Sequence, residues 1–183
     1  MPDITHPEYF RRLARTVGRI SKELPRAQHL KRGDDITPAI HTAVSDLGYI
    51  LAEITSELVA SAHYDRTEPA AYTQAERSGT AALTRSAPAL GAALGHLAQI
   101  VERLGHLHEM SPAPAADSAA RHHPHPPGVQ NWLQIYLDST RSNLAAARQQ
   151  LHKHAVQGST TAASRTATSP PPGAAVRRTA ASR

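Results

Sequence analysis

Apolar residues recur at alternating steps of three and four along three segments: Phe10, Leu13, Val17, Ile20 and Leu24, then Ile40, Val44, Leu47, Leu51, Ile54 and Leu58, then Leu90, Leu94, Leu97, Val101 and Leu104. At about 100° per residue this spacing keeps each series on one stripe of an α-helix, whereas a half-buried strand needs steps of two. Such a stripe has to be covered. The pattern predicts an all-α fold, an antiparallel, coiled-coil-like bundle of four or five amphipathic helices.

The supply of core residues agrees. Aromatics make up 4% of the chain, with one Phe and one Trp, so Leu, Ile, Val and Ala must fill the interior. That suits helix packing better than a sheet, where aromatic and β-branched residues concentrate. The absence of Cys excludes disulfides, thiolate zinc sites and cysteine nucleophiles, and fits a reducing compartment. No apolar run resembles a secretory signal, and none approaches the roughly 20 residues that span a bilayer. The chain reads as soluble and cytoplasmic. Its wealth of Ala, Arg, Pro and His with few Lys is what GC-rich coding produces.

The stop and start signals divide the chain. Thr5 and Glu8 have capping-box spacing around Pro7, which sets the first helix at about 6–24, ending at Pro25. Asp35 or Thr37 caps a second helix with Pro38 in its first turn, at about 38–63. Residues 69–85 form a weaker helical segment, and Pro88 demands a kink or a fresh start capped by Ser86, giving a separate helix at 87–110. On this reading residues 1–110 are the helical core. Residues 111–128, rich in Pro, Ala and His, read as a flexible linker. A fourth helix at 129–156 carries Trp132, Leu133, Tyr136, Leu137, Leu144 and Leu151 in a stripe interrupted at Thr140. Residues 157–183 read as a disordered basic tail of Ser, Thr, Ala, Pro and Arg.

Charge is unevenly placed. Residues 1–32 hold eight Lys or Arg against three acids, and residues 33–68 hold one Arg against seven acids. Arg11, Arg12, Arg15, Arg19, Lys22 and Arg26 share the arc opposite the first helix's apolar stripe, which makes that arc the candidate interaction face. It could follow a phosphate backbone or lie on an anionic membrane surface. Asp46, Glu53 and Glu57 flank the second stripe, where a basic neighbour could pair with them; an ordinary solvated edge is the simpler reading.

Catalytic and metal signatures are weak. His122, His123 and His125 cluster in the linker, which lacks the fixed geometry of a metal site. Glu102 and His106 stand four apart without the paired carboxylates of di-iron bundles. Arg148 and His152 lie four apart and could serve a small hydrolase site as phosphate binder and acid/base, although such a pair arises easily by chance. Arg177, Arg178 and Thr179 resemble a site read by basophilic kinases. No phosphate loop or nucleophile elbow is present, and no small-molecule substrate or cofactor is indicated. The functional expectation is a non-enzymatic helical interaction or scaffold protein that presents helix faces to a protein partner or to its own copy. The alternatives are nucleic-acid binding through the first helix and the basic tail and, more remotely, an all-α hydrolase.

Overall fold

A computed structural model describes residues 4–26, 35–109 and 128–167, with side chains described throughout except at 107–109 and 159–167. It consists of four helices, α1 (Pro7–Glu23), α2 (Thr37–Thr67), α3 (Gln74–Glu109) and α4 (Val129–Ala167), with no strand among the described residues. The expected linker to residue 127 and the tail from residue 168 lie outside the described residues.

Local chemistry sets each start. His6, rather than Thr5, caps α1, its Nδ1 accepting the Glu8 N–H at 3.2 Å, with Pro7 in the first turn. Asp35 accepts the Thr37 N–H at 2.9 Å ahead of α2. Before α3 the Thr73 hydroxyl accepts the Glu76 N–H at 3.2 Å while the Glu76 carboxylate accepts the Thr73 N–H at 2.6 Å, a reciprocal capping box. The 69–85 segment therefore starts later than Pro69. Gly128, at φ 95°, supplies the left-handed turn from which α4 departs.

Expected breaks are absent from α3 and α4. Pro88 lies inside α3, so the two segments expected at 69–85 and 87–110 form one helix. Its ring and Thr84, whose carbonyl loses its intrahelical partner, are both exposed, so water can satisfy that carbonyl and the helix can bend around the core. Ser86, the expected cap, is instead buried within α3 and donates to the Leu83 carbonyl at 2.9 Å. Helix α4 continues to Ala167, past the expected end at 156, through Ala- and Gln-containing sequence without a Pro.

The helices form a ring in which α1 packs on α4, α4 on α3, α3 on α2, and α2, most sparsely, on α1. Contacts such as Phe10 with His154, Arg19 with Asp46, Arg77 with Asp65 and His96 with Tyr136 make every neighbour antiparallel. The core follows heptad steps: Phe10, Leu13, Val17, Ile20 and Leu24 in α1, and Ile40, Ala43, Leu47, Ile50 and Ile54 in α2. It continues with Leu83, Leu90, Ala93, Leu97 and Ile100 in α3, and Leu133, Leu137, Leu144, Ala147 and Leu151 in α4. Fully burying each Leu, Ile or Phe contributes about 1.5–3 kcal/mol, well above what exposed ion pairs supply. The core is therefore not confined to residues 1–110, because the α1 and α3 stripes both need α4 as cover. In α2 the seam runs through Ala43 and Ile50, and Val44, Leu51 and Leu58 sit half-buried on its edge. Val101 is 49% exposed. Thr140 is fully buried where the α4 stripe looked broken, its hydroxyl bonded to the Tyr136 carbonyl at 2.8 Å. No helix among the described residues is long and apolar enough to cross a membrane.

Candidate functional site

The basic arc of α1 divides between two neighbours. Arg12 donates to Glu53, and Arg19 donates to Asp46 and to Glu23, each at 2.9 Å, so these two cations close the thin seam between α1 and α2. Asp46 and Glu53 are thus paired across a seam and do not form a solvated edge. Glu8 accepts from both Arg11, at 3.2 Å, and Arg15, and these bonds hold its carboxyl below the usual range. Lys22 and Arg26 are exposed and make no ion pair among the described residues.

What remains of the arc meets α4. Arg15, Gly18, Arg19, Lys22 and Glu23 line one side of a groove of about 320 Å³, and Arg148 lines the other. Gly18 is buried, and a Cβ there would stand 3.2 Å from Arg148 Nε, so the missing side chain lets the arginine lie across α1. Seven residues earlier on the same flank, Arg141 is fully engaged: it bonds Asp138 at 3.0 Å and the carbonyls of Leu24 and Pro25 at 3.0 and 2.5 Å. Arg148 and His152, the pair that resembles a small hydrolase site, are both exposed, and the arginine's neighbour is α1.

Away from the Arg77–Asp65 end, the opposite edge of the ring has a long uncharged stretch. Between His41 and His63, the exposed residues of α2 include Ser45, Tyr49, Ala52, Ser56 and Val59, and none is Lys, Arg, Asp or Glu. Tyr49 is 71% and Val59 67% exposed. On the adjoining α3 the exposed residues from Pro88 to Val101 are also uncharged: Gly91, Ala92, Gly95, Ala98 and Gln99 lie between them. A Cβ on Gly91 or Gly95 would meet no atom within 4 Å, so nothing inside this chain requires glycine there. This face is legible in the sequence once the heptad core is removed from α2, but neither apolar spacing nor the basic arc signals it.

The remaining candidates are dispersed. Glu102 and His106 line a cavity of about 620 Å³ with Gln99, Val101, Arg103, Gly105, Trp132 and Tyr136, where the two aromatic rings lie 4.5 Å apart. Among the described residues no three His, Asp or Glu side chains gather as a metal site requires. His122, His123, His125, Arg177, Arg178 and Thr179 lie outside the described residues. Comparison with protein-family models, curated proteins and solved structures finds no match to this chain.

Proposed function

We propose that this protein is a non-enzymatic helical-bundle interaction protein of the cytoplasm, and that its uncharged α2–α3 face docks against the same face of a second copy. The observation that carries the reading is the absence of ionised residues from the exposed positions of α2 between His41 and His63, in a chain whose α1 surface is crowded with charge. Solvent faces of bundle helices are ordinarily charged, whereas interface centres are depleted in Lys, Glu and Asp and enriched in Tyr. A two-fold pairing brings this face onto itself without like-charge repulsion, which the cationic α1–α4 edge would suffer. About 33 Å of α2 and about 20 Å of α3, each about 10 Å wide, make about 530 Å² per partner, or about 1,060 Å² in all, just above the roughly 1,000 Å² that a specific interface needs. Exposed Gly91 and Gly95 let a partner backbone come close.

The test is the mass in solution. Sedimentation equilibrium should give twice the 19.6 kDa chain mass, and Tyr49→Glu with Val59→Glu should return the monomer with an unchanged helical signal. A chain that stays monomeric at about 1 mM, where an association of even −4 kcal/mol would register, overturns the reading. So does a dimer indifferent to both substitutions.

A further inference from the structure

The geometry points to the α1–α4 groove as a binding site for the phosphodiester backbone of nucleic acid, contacted without regard to sequence. Four of its six lining residues are cations, Arg15, Arg19, Lys22 and Arg148, against a single acid, Glu23, which already accepts from Arg19. The groove therefore keeps a positive balance after its internal pairing is counted. Within it, Lys22 and Arg148 make no hydrogen bond or ion pair among the described residues. Arg15 keeps a 70% exposed side chain while touching Glu8.

The contrast between two arginines of α4 sharpens the assignment. Arg141 and Arg148 sit one heptad apart against α1, yet Arg141 is consumed by a carboxylate and two helix-end carbonyls, whereas Arg148 reaches over Gly18 to no acceptor among the described residues. Glycine in a helix interior is less favourable than alanine, and here it opens a place for a guanidinium rather than for a core side chain. Along α1, Arg15 and Lys22 are about 10 Å apart at 1.5 Å per residue, with Arg148 facing the turn between them. That is a line of donors matched to successive phosphates of one strand, and guanidinium groups can bond phosphate oxygens in pairs. The groove offers no aromatic ring or amide side chain to read bases. It lies on the edge opposite the α2–α3 face, so a dimer through that face leaves it open.

The experiment is fluorescence anisotropy with a labelled duplex of roughly 20 base pairs and the full-length chain. Neutralising about three phosphates predicts affinity that falls about 40-fold between about 50 and 200 mM salt. Lys22→Glu with Arg148→Glu should weaken binding at least tenfold and flatten the salt slope. A control, Arg103→Glu with Lys153→Glu, makes the same change in net charge outside the groove and should leave affinity within about twofold. The site is overturned by no binding at about 50 mM salt, by binding that survives the groove variant, by equal loss in groove and control variants, or by capture on anionic lipid vesicles without capture of the duplex.

Discussion

Glu57 occupies a seam position of α2 where the heptad calls for an apolar side chain; the residue is 6% exposed and accepts no hydrogen bond from a described residue. Burial raises its pKa, and the Glu53 carboxylate adds to the shift. Nearby, the Tyr9 hydroxyl is buried without a well-formed hydrogen bond among the described residues, its pKa raised by burial and by the charges of Glu53 and Glu57, while the Arg12 guanidinium covers the Tyr9 ring at 5.4 Å. Across the same end of the bundle His154 packs on Phe10 with ring centroids 4.3 Å apart, and burial, aided by the charge of Arg85, lowers its pKa. The two shifts act in opposite directions. A raised carboxyl pKa favours the folded state fully below the unfolded value and loses that advantage as pH rises through the folded value. A lowered histidine pKa leaves stability intact above the unfolded value and loses it as pH falls through the folded one. The Glu57 loss sets in as pH rises above about 4.5 and the His154 loss as pH falls below about 6.5, so the two oppose each other across that interval. Glu57→Gln should remove only the loss that sets in above about pH 4.5, raising Tm by about 2–4 °C near pH 7 and leaving it unchanged below about pH 4. Thermal melts across that range check this; an equal shift at both pH values would mean that ionisation of Glu57 is not the cause. Apolar spacing could not reveal this end of the bundle, because an acid beside a stripe and an acid within it differ by a small helix rotation.

That rotation belongs to the element. In α2 the residues Val44, Leu51 and Leu58 are as apolar as the true seam, and only the arrangement of neighbours on both sides decides that Ala43, Ile50 and Glu57 turn inward. The existence of α1, α2 and α4 follows from periodicity because every heptad repeats the same signal. The continuity of α3 does not, since Pro88 carries the same local signal whether its helix breaks or bends. The outcome depends on Pro88 and Thr84 both lying on the wet side, over the buried run Leu83, Ser86 and Leu90. A proline tolerated in this way still costs α3 a hydrogen bond, partly offset by the rigidity that it gives the unfolded chain. Pro88→Ala should then stabilise the bundle by about 1–2 kcal/mol, measured by urea unfolding with an unchanged slope. No gain, or a loss, would indicate that the proline ring at position 88 helps to keep Leu83 and Leu97 on one seam.

For the whole molecule, closure of the ring depends on the pairing most distant in sequence. Helix α1 rests chiefly on α4, through Phe10 against His154 and Gly18 against Arg148, while its seam with α2 is thin and held by Arg12–Glu53 and Arg19–Asp46 at the surface. Surface pairs of this kind add little and weaken with salt, so α2 cannot hold α1 alone. The long Pro-rich segment before α4 makes that helix look like an optional addition in the sequence, yet α4 supplies the cover for the stripes of both α1 and α3. A chain ending at residue 109 would expose Phe10, Leu13 and Val17 on one side and Leu90 and Leu97 on another, and would lose the burial that offsets ordering α1. We therefore expect fragment 1–109 to show partial helicity without a cooperative melt. Adding fragment 128–183 should restore a single transition at 1:1 stoichiometry, followed by circular dichroism. Hydrogen exchange on that complex should find α1 the least protected helix, increasingly so as salt screens its pairs with α2. If fragment 1–109 melts cooperatively on its own near the Tm of the full chain, α1 is held by α2 after all, and the ring has been closed at the wrong seam.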